Sequence, residues 1–282
     1  MPRITFAEPL RAALRFCRPY VVAPRSHWGD LDLEPLGVRV PEALRLDPTR
    51  LSTERFITWI ERLDAQTFGP QAMAMPRWVF YDCSEWPSAL FGLAARPSDI
   101  SASLREVFGV APADRVWVPI TLHVAIPTVH PGEFFEHNVG SLGHEIGIGG
   151  LGTFTKALGC RLLRARTLVG AAQWTGKALG MHLRFGPLEL LTAYTPAHSY
   201  VRTLTYRHAT DLETLTRVAR GLPPPEIDAT KKIRIEDASL KSLQRRIEKD
   251  DSRIVLAGRL IETRSGLHAP IREEPRHESG RR

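Results

Sequence analysis

Patterns typical of strands and of helices alternate through residues 52–207 of the 282-residue chain, and this order predicts a mixed α/β sheet in a single domain. We expect strands at the short apolar runs of residues 78–83, 89–94, 115–126 and 167–174. Apolar residues recur at helical spacing after residues 52 and 97. A glycine-rich stretch then leads into a helix of about residues 151–165.

The first part of the chain is rich in proline, and we expect residues 1–50 to form an irregular N-terminal segment that wraps around the core. Ser52 is a typical N-cap for the helix that follows it. The strand at residues 115–126 must lie at an edge or contain a bulge, because Pro119 has no amide hydrogen to donate. We expect a loop between this strand and the glycines.

The second half of the alternating region shows helix starts and stops. Thr175 is predicted to cap a helix that carries His182, and Thr210 with Glu213 has the spacing of a capping box. We expect strands at residues 188–194 and 199–207. The pattern therefore continues as strand, helix, strand, strand and helix.

The composition changes at the three consecutive prolines of residues 223–225. We therefore predict a core domain at residues 51–222 and a charged C-terminal extension at residues 223–282. The extension contains no aromatic residue, and its apolar residues suggest one helix near residue 243 and an ordered piece at residues 254–261. Its end, from about Arg264, has a composition typical of disorder.

The overall composition is that of a globular protein, with 43% hydrophobic and 24% charged residues. The net charge of +7 permits an acidic partner such as nucleic acid, a membrane surface or a phosphorylated cofactor. No recognised nucleic-acid module and no membrane-spanning run is visible. Three widely spaced cysteines and an N-terminus interrupted by arginines lead us to expect a cytoplasmic protein.

Glycine is concentrated just before the predicted helix of residues 151–165. Six glycines fall within thirteen residues, namely Gly140, Gly143, Gly147, Gly149, Gly150 and Gly152. A glycine-rich turn at the start of a helix exposes backbone amides beside the positive end of the helix dipole, and this arrangement favours phosphate. The alternative is that these glycines only form turns and bind no ligand. A dinucleotide fingerprint would also need an acidic residue about 20 residues further on, and none follows a strand there.

Two segments together carry a family resemblance. The first reads His144-x-x-Gly147-x-Gly149, and the second reads Thr175-x-x-Ala178-x-x-x-His182-x-x-x-Gly186. With the flanking strands and helices, residues 52–207 resemble the GNAT superfamily of N-acetyltransferases. In that family a Gln/Arg-x-x-Gly-x-Gly/Ala turn holds the pyrophosphate of coenzyme A, and an Asn-x-x-Ala-x-x-x-Tyr-x-x-x-Gly-Phe helix follows. His144, Thr175 and His182 replace the family's Gln or Arg, Asn and Tyr.

The resemblance implies a mostly antiparallel central sheet flanked by helices, and an acyltransferase activity. The cofactor would be acetyl-CoA or another acyl-CoA, and the acceptor would be an amine on a small molecule or a protein. The cofactor-binding residues would be His144, Gly147, Gly149, Gly150 and Lys156. The general acid would be His182, and the base would be Glu133 or His137.

Histidines support a different hypothesis. His123, His130, Glu133, His137 and His144 lie within 22 residues, and these are residue types that bind zinc or iron. A metal-dependent enzyme could use His130, His137 and His144, with His182 or His198 joining them. The three are seven residues apart, but Pro131 and the glycines oppose a helix that would put them on one face.

Two further hypotheses stay open. The segment of residues 156–170 is locally similar to acetoacetate decarboxylases, in which Lys156 or Lys177 would form a Schiff base. A non-enzymatic binding or structural protein would use its basic charge and aromatic residues such as Trp28, Trp78 and Trp86. These aromatics lie in apolar runs, so we expect them in the core. Cys160 lies within a predicted helix and is expected to be packed rather than nucleophilic.

Overall fold

The computed structural model describes residues 7–32, 37–85, 87–249 and 252–275. The described helices are α1 (Glu8–Phe16), α2 (Glu54–Phe68), α3 (Arg77–Asp82), α4 (Ala102–Phe108), α5 (Leu151–Leu162), α6 (Lys177–His182), α7 (Leu212–Ala219) and α8 (Asp237–Glu248). The described strands are β1 (Cys17–Val22), β2 (Arg45–Leu46), β3 (Ala89–Ala95), β4 (Val118–Pro119), β5 (Thr121–Pro127), β6 (Glu133–Ser141), β7 (Thr167–Gln173), β8 (Leu188–Thr192), β9 (Thr203–Ala209), β10 (Lys231–Arg234), β11 (Ser252–Leu256), β12 (Ile261–Thr263) and β13 (Gly266–Pro275).

The chain divides into two compact units. The first consists of residues 1–166 and 210–222, and the second consists of residues 167–209 and 223–282. The chain passes between the two units at three places, one of which is residues 222–223, at the start of the three prolines; none lies near residue 51. Each unit combines segments that are distant in the sequence, so composition alone does not show which segments pack together.

The first unit is built on a sheet of strand order β6-β5-β3-β1-β2, with β4 also paired to β3. The pairings are antiparallel except for β1 with β2, which is parallel. Strand β3 is buried along its whole length, which explains its continuous run of apolar residues. The N-terminal segment of residues 1–50 contains helix α1 and strand β1 of this unit, so its described part is not wholly irregular.

Helices cover both faces of this sheet, and strand β6 contacts both layers through a β-bulge at His137. Val124 of β5 pairs with Asn138, whereas the next residue, Ala125, pairs with Glu136. The extra residue lets Glu136 face helix α5 and Asn138 face helix α2, although the two are only two positions apart.

The second unit contains antiparallel strands in the order β10-β13-β11-β8-β9-β7, with β12 paired to β13. Its core includes the fully buried side chains of Trp174 and Tyr206. Helix α8 adds Leu240 and Leu243 to the same core. The C-terminal extension therefore supplies strands of a sheet up to Pro275. The disorder expected from Arg264 is wrong for residues 264–275, and residues 276–282 lie outside the described part.

Three local predictions differ from the structure. The run of residues 78–83 was expected to be a strand, but Arg77–Asp82 is a helix that begins directly after Pro76. A short apolar run fits either element, and here only one face of it, at Phe80, is buried. Strand β6 replaces the expected loop. The helix caps also differ, since the N-cap positions are occupied by Thr53 rather than Ser52, by Gly176 rather than Thr175 and by Asp211 rather than Thr210.

The predicted fold class is confirmed, because the structure is mixed α/β with mostly antiparallel strands flanked by helices. Among the described residues, no helix combines the length and the apolar character that crossing a bilayer requires.

Gly92 allows β3 to pack closely on its neighbours, and Gly92→Ala tests this. A Cβ at this position would lie 2.1 Å from the Thr121 carbonyl oxygen and 2.5 Å from the Tyr20 hydroxyl. The Tyr20 hydroxyl donates a 2.8 Å hydrogen bond to that same oxygen, so neither group can move away from the Cβ without disturbing this bond. We expect Gly92→Ala to lower the free energy of unfolding by about 3 kcal/mol in urea denaturation. The control is Gly69→Ala, where a Cβ meets no atom within 4 Å; an equal loss in both variants would contradict the prediction.

Candidate functional site

The glycine-rich loop connects strand β6 to helix α5 in the first unit. The chain leaves β6 at Ser141, makes one short helical turn at Gly143–Ile146, and enters α5 after Gly150. Gly147 and Gly150 have φ values of 71° and 81°, in the left-handed region that favours glycine. Two of the predicted glycines are therefore required by the backbone path itself.

The first half of this loop is held by internal contacts. The amide of Ile148 donates a 2.9 Å hydrogen bond to the Gly143 carbonyl, and a Cβ at Gly143 would lie 2.6 Å from the Ile148 carbonyl oxygen. The Ser101 hydroxyl donates to the Glu145 carboxylate and also caps helix α4. The exposed His144 ring lies 3.2 Å from the other oxygen of that carboxylate. The loop is thus anchored to α4 by Glu145.

The second half presents unpaired backbone amides. Within the described part of the chain, the amides of Gly149, Gly150, Leu151, Gly152 and Thr153 have no hydrogen-bond acceptor, and no side chain caps α5. The Gly147 amide, by contrast, donates to the His144 carbonyl at 3.1 Å. A Cβ built at Gly147, Gly149 or Gly150 meets no atom within 4 Å. The amides therefore lie at a helix N-terminus with open space in front of the loop.

The two residues predicted as bases occupy different environments on β6. Glu133 is buried and accepts a 2.9 Å hydrogen bond from the Thr128 hydroxyl. His137 is exposed and is the extra residue of the bulge. Burial raises the pKa of the nearby Asp64 carboxyl, and the hydrogen bonds from the Met75 amide and from Asn138, together with the charge of His137, oppose this rise. Bulges are frequent next to active sites because they redirect side chains.

Lys156 is fully buried, and its ammonium group lies 2.8 Å from the Glu136 carboxylate. The other oxygen of this carboxylate lies 3.6 Å from Nε2 of His123, which is also buried. A Cβ at Gly159 would lie 2.1 Å from Nδ1 of His123, so the glycine lets α5 approach β5. Lys156 therefore joins helix α5 to the sheet, and its charge is directed into the core rather than toward the loop.

His182 ends helix α6 and belongs to the second unit, whereas the glycine loop belongs to the first. Its side chain is buried, and its ring centroid lies 4.9 Å from that of Tyr206. The predicted roles of His182 as the acid and of Glu133 or His137 as the base stay predictions.

The described residues contain no group of three or more His, Cys, Asp or Glu side chains that could hold a metal ion. His130, His137 and His144 accordingly do not form the three-ligand site of the metal hypothesis. The three cysteines are buried. Burial raises the pKa of Cys17 to about 12 and that of Cys83 to about 11, and it also raises the pKa of Cys160, so all three are protonated thiols near neutral pH.

Sequence reasoning missed Glu136 and Asp64 as residues that organise this region. Both are charged residues in elements that otherwise bury apolar side chains. For Asp64 a signal was present, since it lies on the apolar face of α2 beside Leu63 and Ile60. Glu136 gave no such signal, because the bulge breaks the alternation by which a strand is recognised.

Comparisons with known proteins find likenesses among solved structures. One is a protein from Klebsiella pneumoniae subsp. pneumoniae assigned as an acyl-CoA N-acyltransferase, at 16% identity and a TM-score of 0.34 over 58% of this chain and 93% of that chain. Another is the ribosomal-protein-S18-alanine N-acetyltransferase from Escherichia coli, at 10% identity and a TM-score of 0.33 over 55% of this chain and 88% of that chain. Likenesses at these TM-scores and identities carry no argument about the chemistry of this chain.

No protein-family model matches the chain, and no curated protein sequence matches it.

The two neighbouring glycines 149 and 150 are expected to respond differently to alanine. Gly150→Ala places a Cβ on a backbone of φ 81° and should lower the free energy of unfolding by about 1–2 kcal/mol. Gly149→Ala adds a Cβ in open space, without a left-handed backbone, and should change it by less than about 0.5 kcal/mol. Urea denaturation of the two variants measures both values. Equal effects would show that the loop does not have this backbone path.

Removing one member of the buried ion pair is expected to lower the free energy of unfolding strongly, whereas removing both members is expected to lower it much less. Lys156→Met leaves the Glu136 carboxylate buried without its cation, which should lower the free energy of unfolding by about 3–5 kcal/mol. The double variant Lys156→Met/Glu136→Leu removes both charges and should recover most of this loss. Denaturation of both variants tests the pair. A double variant as unstable as the single one would show that the pair itself is not the source of the effect.

Proposed function

We propose that the chain is an acyltransferase that binds an acyl-CoA at the glycine loop and transfers the acyl group to an amine. The observation that carries this proposal is the row of amides from Gly149 to Thr153, which have no acceptor within the described residues. The sequence resemblance to the GNAT superfamily, in which the corresponding turn holds a pyrophosphate, supports the same ligand.

The residues present fit a pyrophosphate through backbone groups. Converging N–H groups at a helix N-terminus bind phosphate oxygens because the helix dipole adds positive potential there. Helix α5 has twelve residues, and its first turn has no competing side-chain cap. The absence of a Cβ at Gly147, Gly149 and Gly150 leaves the space that the phosphates would need.

Side chains of the loop contribute less than the sequence suggested. His144 is exposed beside the loop and could face an anionic ligand, but its Nε2 also lies near Glu145. Lys156 is left out of the proposed cofactor site, because its charge is matched by Glu136 inside the core. The proposed binding therefore depends on backbone amides, which no side-chain substitution removes but a bulky side chain can cover.

The coenzyme supplies a thioester, whose carbonyl carbon is open to attack by an amine. The chain's own part would be to hold the donor and to remove a proton from the attacking amine. We propose His137 for this proton transfer in preference to Glu133. His137 is exposed at the bulge and can reach a substrate, whereas Glu133 is buried and hydrogen-bonded to Thr128. The acid role of His182 remains a prediction from the resemblance.

Binding of acyl-CoA is expected to stabilise the protein, and Gly149→Trp should abolish this effect. A tryptophan at position 149 would place a large side chain in the row of amides without straining the backbone, since a Cβ there meets no atom within 4 Å. At an acetyl-CoA concentration of a hundred times Kd, the wild-type chain should gain about 2.7 kcal/mol of stability. A thermal-shift assay with acetyl-CoA and with CoA measures the gain, and calorimetry gives Kd.

The matched control is Gly29→Trp, because Gly29 is also a glycine with open space around its Cβ position. It should keep the stabilisation that Gly149→Trp loses. ATP serves as a second polyanion and should have little effect. Equal stabilisation by ATP, or stabilisation that survives in Gly149→Trp, would contradict the proposed site. Release of free CoA thiol from acetyl-CoA in the presence of an amine panel then tests the transfer itself.

A further inference from the structure

A cavity of about 540 Å³ lies in the first unit, between the start of α2, helix α3 and the segment of residues 48–51. Its volume is within the range of roughly 300–1,000 Å³ that is usual for small-molecule sites. Its apolar lining includes Leu51, Ile57, Trp78 and Tyr81. None of these residues belongs to the glycine loop, and the role of this cavity is independent of the proposed acyltransferase function.

The aromatic side of the cavity is exposed. Trp78 and Tyr81 lie three positions apart on α3, with 65% and 49% of their surfaces accessible, and Leu51 is also exposed. The sequence led us to expect Trp78 in the core. Large apolar side chains grouped at one place on a surface commonly mark a binding site, whereas single ones need no explanation.

A loose, exposed ion pair between Arg77 and Glu54 lies in the same lining. One terminal nitrogen of Arg77 donates to the Thr58 hydroxyl at 3.0 Å and to the Glu61 carboxylate at 3.2 Å. Its other terminal nitrogen lies 4.0 Å from the Glu54 carboxylate. This distance is longer than a charge-assisted hydrogen bond of about 2.8 Å. The Arg77 guanidinium is thus held in place by α2, with one edge still able to bind a ligand.

We propose that this cavity binds a free amino acid with a large apolar side chain. The ligand's carboxylate accepts from the open edge of Arg77, its ammonium group donates to Glu54, and its side chain packs against Trp78 and Tyr81. Charge complementarity selects a zwitterion, because its carboxylate and ammonium group together replace the loose contact between Arg77 and Glu54, whereas a ligand with a single charge leaves one of the two without a partner. Arg50 belongs to the same lining, but its Nε lies 3.9 Å from the Asp47 carboxylate, so Arg77 is the cation assigned to the ligand's carboxylate.

Three related ligands test the zwitterion directly by calorimetry on the full-length chain. L-phenylalanine carries both charges, N-acetyl-L-phenylalanine lacks the cation, and L-phenylalaninamide lacks the anion. We expect L-phenylalanine to bind, and each analogue to bind about tenfold more weakly, because each loses one charge-assisted hydrogen bond.

Two variants test the residues. Trp78→Ala should weaken L-phenylalanine binding by about tenfold through lost apolar contact. Glu54→Gln should remove the preference for L-phenylalanine over its N-acetyl derivative. Both side chains are largely exposed, so the fold should persist, and the circular dichroism spectrum checks this. The matched controls are Tyr200→Ala, an exposed aromatic of the second unit, and Glu106→Gln, an exposed acid on α4; both should bind as the wild type does.

Four results would overturn the proposal. The first is no measurable binding of L-phenylalanine at millimolar concentration. The second is binding of L-phenylalaninamide that is as tight as the binding of L-phenylalanine, which would indicate a site for cations only. The third is equally tight binding of the N-acetyl derivative, which would indicate a site for anions only. The fourth is unchanged binding in Trp78→Ala, which would place the ligand elsewhere.

Discussion

The buried pair of Glu136 and Lys156 is the interaction on which the arrangement of the first unit depends. It connects strand β6 to helix α5, the two elements that flank the glycine loop. Both charged groups are out of contact with water, so each is stable there only because the other is present. The close packing of Gly159 against His123 brings the same helix near the neighbouring strand. The loop is therefore held at both ends by a rigid support.

The bulge at His137 is the second constraint, because it lets one strand contact two layers. On one side of it Glu136 faces α5, and on the other side Asn138 donates to Asp64 of α2. The bulge also exposes the one histidine of this strand. A rigid support behind an unpaired row of amides is what a preorganised anion site requires, since the amides need not reorganise when a ligand arrives. In this way core packing and the proposed binding have a common structural origin.

The candidate site was predictable in part. The glycine stretch indicated a loop of exposed amides before a helix, because glycine spacing and helix starts are local signals. The role of Lys156 was not predictable in this way. A lysine one turn into a helix is near the loop in the sequence, but the direction of its side chain depends on which face of α5 meets the sheet, and Glu136 lies twenty residues away in the chain. Trp78 was likewise expected to be buried, because an apolar run does not show which of its faces the core will cover.

The sequence by itself determined the mixed α/β class, most of the strands and helices, and the turn that leads into α5. These depend on hydrophobic periodicity and on glycine and proline, which act over a few residues. Only the tertiary structure decided the division into two units, the strand from residue 133 to residue 141, the ordered C-terminal strands and the partner of Lys156. Each of these depends on contacts between segments that are distant in the chain. The energy of such a contact depends on both segments, so neither segment alone predicts it.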